Sequence, residues 1–463
     1  MLFNSLVFLY VFLPLTYGVF WRLTTRDQRY AWLAASGYVF YGWWDYRFCA
    51  LMAFSTLVSF TAGLGFRRWA DPRVRRWLLI VPVTVDLALL GYFKYSNLML
   101  SSVDQLAAWA GHPLHLGLLN VVLPVGISFY TFHTITYIVD CWRGTITPTA
   151  NPLEFACYVS LFSQLVAGPI VRFREIEADL ERIDAADRER GLDVGFSYFC
   201  IGLAKKVLVA DTLAALVDPA LSSGAAFGGP VEAWAVALGY TFQLYFDFSG
   251  YSDMAIGLGH LFGLRIPRNF DSPYRATDPS DFWRRWHISL SSCLRDYLYI
   301  PLGGSRGSSF ATHRNLMVTM LLGGLWHGAS WTFLAWGGYH GALLCLHRAH
   351  AARWDALPRA LRVAATFLAV VVGWVLFRAE TFARAAAWLG ALVTPRAGPG
   401  LPGLDTLLGL SAALAAFCWV APNSHEVDHA WTPLARAGWA CAFVAALLVI
   451  SAGRESPFLY FQF

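Results

Sequence analysis

Leu2-Phe-Asn-Ser-Leu-Val-Phe-Leu-Tyr-Val-Phe-Leu-Pro-Leu-Thr-Tyr-Gly-Val-Phe20 carries no charged residue, and a bilayer's hydrocarbon core demands a helix of about 17 to 25 mostly apolar residues. No basic residue precedes this stretch and no A-x-A site follows it, so it reads as a retained helix and not as a secretory signal. Comparable runs recur near 30–46, 48–66, 77–99, 119–139, 194–216, 232–262, 315–346, 363–377, 404–421 and 436–452. With the first they make about eleven crossings. The runs 232–262 and 315–346 are too long for one straight span and carry polar residues in their middles, so each is expected to be broken or strongly tilted. The run 153–170 ends in Ala167-Gly168-Pro169 beside the charged stretch 172–190, which suggests a re-entrant hairpin followed by a surface helix. One all-α, polytopic membrane domain over residues 1–463 is the simplest account.

Composition excludes an ordinary soluble protein. The 463 residues are 57% hydrophobic and 14% charged, with 20 Trp, more apolar surface than a water-soluble core hides. The formal charge of +5 does not point to nucleic acid, because the basic residues fall in short connectors such as Arg67-Arg68 and Arg73, Arg75 and Arg76. That distribution is the positive-inside pattern. It places Arg22, Arg26 and Arg29 in the cytoplasm as well, two apolar segments away, and the N-terminus outside. Eight cysteines are scattered without a C-x-x-C pair or a His at ligand spacing, so neither a disulfide nor a metal is predicted.

Polar residues inside apolar surroundings mark candidate chemistry. In Asp281-Phe-Trp-Arg-Arg-Trp-His287-Ile-Ser-Leu290, Pro279, Ser280 and Asp281 read as a helix start. Trp283, Trp286, His287 and Leu290 then fall on one helical face, with Arg284, Arg285 and Arg295 off it. An interfacial amphipathic helix fits the same pattern. In Gly323-Gly-Leu-Trp-His327-Gly-Ala-Ser-Trp331 a histidine stands among apolar, aromatic and glycine residues. A satisfied packing role and a functional one both remain open for it, and the flanking glycines permit close approach of a substrate or another chain. Asp247 and Asp253, in the overlong run, read as partners of buried Arg or as lining of a water-filled cavity. Lys205, Lys206, Asp211, Lys94, Asp140 and His133 read as structural partners or interfacial anchors. His260 and His340 lie beside glycines, where packing suffices.

The chain resembles the membrane-bound O-acyltransferase family, in its bacterial alginate O-acetylase branch. Carrying the resemblance, in order, are Pro124-Val-Gly-Ile-Ser-Phe-Tyr130, Tyr245-Phe-Asp-Phe-Ser-Gly-Tyr-Ser-Asp253, Phe282-Trp-Arg-Arg-Trp-His287, Gly324-Leu-Trp-His-Gly328 and Phe458-Leu-Tyr-Phe-Gln-Phe463. It implies a helical funnel around a channel through the bilayer, with His327 at the catalytic histidine position and His287 at a second. It further implies acetyl-CoA reaching the site from the cytoplasm, a polysaccharide or peptidoglycan hydroxyl as acceptor, and a periplasmic acetyl-handling partner. The bacterial inner membrane is the implied location. Thioester acyl transfer needs a base for the attacking hydroxyl and a donor environment for the oxyanion, and a buried neutral imidazole meets the first need. Arg284, Arg285, Arg295, Arg306, Lys205 and Lys206 are candidates for the coenzyme A phosphates or for anionic lipid, and Trp326 joins the donor-binding candidates. The alternative in a different class is a transporter or flippase for protons, acyl groups or lipid-linked sugars, which explains intramembrane Asp and His but not these paired motifs.

Overall fold

The structure, a computed structural model, describes residues 1–222, 227–395, 400–429, 431–453 and 458–459. It forms two compact units: residues 1–196 with 255–267, and residues 197–254 with 268–463. The described residues contain helices and no strand.

In the first unit, local signals start and stop the helices. Thr25 caps Arg26–Asp45 and exchanges bonds with Gln28, and Asp71 caps the helix that opens with Pro72. The carboxyl of Asp86, in the helix Pro72–Leu90, is buried yet satisfied. It accepts from Ser55 Oγ at 2.6 Å and Thr134 Oγ1 at 2.7 Å, tying the helices Arg47–Arg68, Pro72–Leu90 and Ile127–Arg143 together. Residues 153–170 form two short helices, Pro152–Ser160 and Phe162–Leu165, interrupted at Leu161. Side chains supply what the broken backbone lacks: Gln164 Nε2 donates to the Tyr158 carbonyl at 2.8 Å, and the Tyr158 hydroxyl donates to the Val171 carbonyl at 3.0 Å. Buried irregular backbone persists only with such partners.

In the second unit the helical path through Lys205–Ala210 widens by one residue per turn. Lys206, with a side chain 3% exposed, meets Asp247 at 2.6 Å and Asp211 at 2.8 Å. Lys205 meets Asp253 at 2.6 Å. The aspartates thus pair with lysines and not with arginine. The Leu459 N–H donates to Asp247 Oδ2 at 3.0 Å, and Phe458 packs on Tyr251 with ring centroids 4.7 Å apart. Tyr460 to Phe463 of the C-terminal motif lie outside the described residues.

The expected count of eleven spans is not confirmed by the helices. By length and composition, four helical runs among the described residues are fit to cross a membrane: Arg47–Arg68, Pro72–Trp109, Arg359–Arg378 and Pro433–Ser451. Phe8–Phe20 and Leu404–Val420 are apolar but shorter. Two of the other runs fall short for visible reasons. Helix formation in 119–139 begins only at Ile127, and Arg26–Asp45 carries charges along with its aromatic residues. Of the two overlong runs, 232–262 lies in one unbroken helix, Pro230–Leu261, whereas 315–346 is broken between His327 and Trp331.

Candidate active site

Helix Ser309–His327 begins at Ser308, whose Oγ accepts from the Ala311 N–H at 3.2 Å, and it ends on His327. Ser330 starts the next helix, Trp331–Ala349, by accepting from the Thr332 N–H at 3.3 Å. The two helices fold back on each other at glycine contacts. A Cβ on Gly324 would lie 2.3 Å from the Phe333 carbonyl oxygen, and one on Gly337 would lie 2.3 Å from that of Met320. Only hydrogen fits there. His327 is left at the break, 5% exposed, with ring centroids 5.0 Å from Trp326, 5.1 Å from Trp336 and 5.3 Å from Phe377.

The motif around His287 departs from the expected continuous helix. Asp278 caps Pro279–Arg285 by accepting from the Asp281 N–H at 2.8 Å, so the cap lies one residue before the proline. The chain then leaves the helix at Trp286, and His287 takes φ 44° and ψ 55° before Ile288–Leu294 begins. A left-handed residue other than glycine costs about 1–3 kcal/mol and needs surrounding structure to hold it. Asn269 supplies the hold. Its Oδ1 accepts from the Ser289 N–H at 3.1 Å and the Ser289 hydroxyl at 2.9 Å, and its carbonyl accepts from the Ile288 N–H at 2.9 Å.

Asn269 also decides the tautomer of His287. The His287 Nδ1 lies 3.0 Å from Asn269 Oδ1, an oxygen, while the amide nitrogen donates to Ser252 Oγ at 3.2 Å. An oxygen can only accept, so Nδ1 carries the proton and Nε2 keeps its lone pair. That Nε2 is buried and has no hydrogen-bond partner among the described residues. Phe248 presses edge-on against the ring at 4.6 Å, Trp326 lies at 5.9 Å and His327 at 6.3 Å. Two imidazoles 40 positions apart in sequence therefore share one aromatic enclosure.

A cavity of about 650 Å³ reaches this enclosure. His327 and Trp336 line it where the protein is buried, and Arg284 and Arg295 line it with side chains 68% and 60% exposed. A path therefore connects exposed cations to the buried imidazole. Arg284 stands 3.9 Å from Asp281, and Arg295 donates to Asp296 at 2.7 Å. Of the seven donor candidates, Arg285, Arg306, Lys205, Lys206 and Trp326 do not line the cavity. Arg285 is spent on structure, donating to Asp281 at 2.9 Å and to the Asp271 carbonyl at 3.2 Å. Lys205 is held by Asp253 and by Ser424 Oγ at 2.7 Å. Trp326 packs against both imidazoles instead of lining the space. Sequence reasoning missed Arg348 and His347, which line the cavity with Leu344 and Ala351 from the end of Trp331–Ala349 and just beyond it. Their spacing of three to four residues on one helical face was the available signal. It missed Asn269 too, a lone amide in a connector.

Residues 110–376 match the membrane-bound O-acyltransferase family. The chain is 43% identical to the probable alginate O-acetylase AlgI of Pseudomonas putida, with 100% of both chains covered. It is 47% identical to the AlgI of Pseudomonas aeruginosa over 82% of this chain and 72% of that one. It is 36% identical to the peptidoglycan O-acetyltransferase of Helicobacter pylori, covering 85% of this chain and 80% of that one. With a family match over more than half its length and relatives that align from end to end, the chain belongs to the membrane-bound O-acyltransferase family and is an acyltransferase.

Proposed function

We propose that the protein sits in the bacterial inner membrane and moves an acetyl group from cytoplasmic acetyl-CoA toward hydroxyls of a cell-surface polysaccharide or peptidoglycan, through a periplasmic acetyl-handling partner. The observation that carries this reading is the His327 imidazole, buried yet bordering a cavity whose other end presents Arg284 and Arg295. The names of the relatives, alginate O-acetylase and peptidoglycan O-acetyltransferase, support the acetyl group and the glycan class.

In this reading the arginines, with Arg348, hold phosphate oxygens of the donor by charge-assisted bonds. The thioester carbonyl carbon then lies beside His327. An acceptor hydroxyl attacks that carbon, its proton passes to the imidazole, and the carbon–sulfur bond breaks. The proton then moves from the imidazolium to the departing thiolate, which leaves as coenzyme A. His287 presents a lone pair at Nε2, so it does not polarise an acyl carbonyl. It orients the reacting hydroxyl or His327 by accepting a hydrogen bond.

Labelled acetyl-CoA incubated with the purified protein in detergent tests the reading. With a hydroxyl acceptor, free coenzyme A and acetylated product rise together. Intact acetyl-CoA after incubation with the full set of glycan acceptors and the partner would overturn it and favour a transporter. A second expected result concerns Asn269→Ala, which removes the restraint on the His287 tautomer. Turnover falls on the order of a hundredfold, the size of a lost proton-transfer contribution, while the KM for acetyl-CoA holds. An unchanged kcat would remove His287 from the chemistry.

A further inference from the structure

A second cavity, of about 490 Å³, is lined by Arg275, Arg359, Ala360, Val363, Ala364 and Trp419, away from the histidines. We propose that it is a binding site for one anionic glycerophospholipid, whose phosphodiester sits between Arg275 and Arg359 and whose acyl chain lies along Ala360, Val363, Ala364 and Trp419.

Position comes first. Arg359 opens the apolar span Arg359–Arg378, and Trp419 stands at the end of the apolar helix Leu404–Val420, 46% exposed. Arginine and tryptophan at helix ends mark headgroup depth, so this cavity straddles the polar and apolar zones of the bilayer. Its lining is divided the same way. The four positions Ala360, Val363, Ala364 and Trp419 offer hydrocarbon surface, and the two arginines offer planar donor groups suited to phosphate oxygens.

The cations are held ready for a ligand. Arg275 is fixed in place by donating from Nε to the Cys418 carbonyl at 2.9 Å and from Nη2 to the Ala421 carbonyl at 2.5 Å, which leaves its Nη1 edge without a protein acceptor among the described residues. The indole of Trp419 is anchored alongside, donating to the Tyr274 carbonyl at 3.2 Å. Arg359 is exposed and makes no hydrogen bond or ion pair with the described residues. Near Arg275 lies Glu426, whose carboxylate is held below its ordinary range chiefly by the Asn423 N–H and, to a smaller extent, by His425, Arg275 and Arg268. The lining holds two arginines and no carboxylate, a net positive site, which selects an anionic lipid over a zwitterionic one whose own cation would approach the same arginines.

Native mass spectrometry of the purified full chain, titrated in detergent with phosphatidylglycerol or phosphatidylcholine, tests the proposal. The wild type retains one phosphatidylglycerol in preference to phosphatidylcholine. Arg359→Gln weakens that binding about fivefold, the effect of one arginine near an anionic headgroup, and Ala364→Trp, which fills the apolar half, weakens it comparably. Arg76→Gln, an exposed arginine elsewhere, leaves it unchanged. Wild-type binding in both Arg359→Gln and Ala364→Trp would overturn the site. So would an equal loss in Arg76→Gln, which would mean diffuse attraction by surface charge, or displacement of the lipid by excess inorganic phosphate, which would mean that the headgroup binds without its chain. Thermal unfolding of each variant at the wild-type midpoint excludes misfolding as the cause of a loss.

Discussion

His327→Ala protein is expected to insert, fold and bind acetyl-CoA while its acetyl-transfer rate falls by about 10²- to 10⁴-fold, the contribution of a positioned general base. Folding is expected to survive because the imidazole lies at a helix end and borders a cavity, so truncation enlarges existing space without stripping a sealed core. Donor affinity survives because the exposed cations of the cavity are untouched. His327→Gln separates base chemistry from volume: it refills the space, offers a hydrogen bond, and still fails as a base. Measured kcat and KM for both variants against wild type decide the matter. A kcat within twofold of wild type in either variant would exclude His327 as the base.

Lys206→Met is expected to destabilise the protein by about 3–5 kcal/mol, because it leaves buried carboxylates without their cation. The Lys206, Asp247 and Asp211 side chains are 3%, 2% and 9% exposed. The loss reaches the site through packing. Asp247 accepts from the Leu459 N–H, Phe458 packs against Phe248 with centroids 5.9 Å apart, and Phe248 supports the His287 ring. Adding Asp247→Leu to Lys206→Met is expected to restore part of the stability, since the charge left uncompensated is then removed too. Thermal unfolding in detergent, followed by tryptophan fluorescence, measures both. A single variant that melts with wild type would show that the network contributes nothing to stability.

Much of the fold class was legible because lipid imposes a simple rule: apolar runs of sufficient length, punctuated by Pro, Gly and charge. The break in 315–346 was expected from its length and the polar residues in its middle, whereas the interruption of 153–170 at Leu161 has no Gly or Pro beside it. The number of spans was not confirmed in the same way. Hydropathy scores a segment by its own residues, and helices facing protein carry polar groups that another segment satisfies, as Ser55 and Thr134 do for Asp86. The helix expected through His287 failed for a related reason. Periodicity along Trp283, Trp286 and Leu290 was read as local, whereas Asn269, far back in the chain, takes the N–H groups of Ile288 and Ser289 and turns the backbone left-handed.

The site divides along the same line. Residue type and surroundings singled out His327, because an ionisable ring in apolar surroundings is costly and therefore conspicuous in sequence, and His287 joined it through the family resemblance. Which cations share their cavity was a question of tertiary structure. Arg284 and Arg285 are adjacent in sequence and equally charged, yet one lines the cavity and the other is held by Asp281 and the Asp271 carbonyl. Lys205 is likewise taken by Asp253, while Arg348 arrives from another helix. Charge is a property of a residue, and its availability to a ligand depends on which partners folding brings within about 3 Å. The amino-acid sequence by itself determined a helical membrane protein with one conspicuous buried histidine, and its family resemblance added a second. Only the tertiary structure decided the tautomer of one, the access of the other, and which arginines line the cavity.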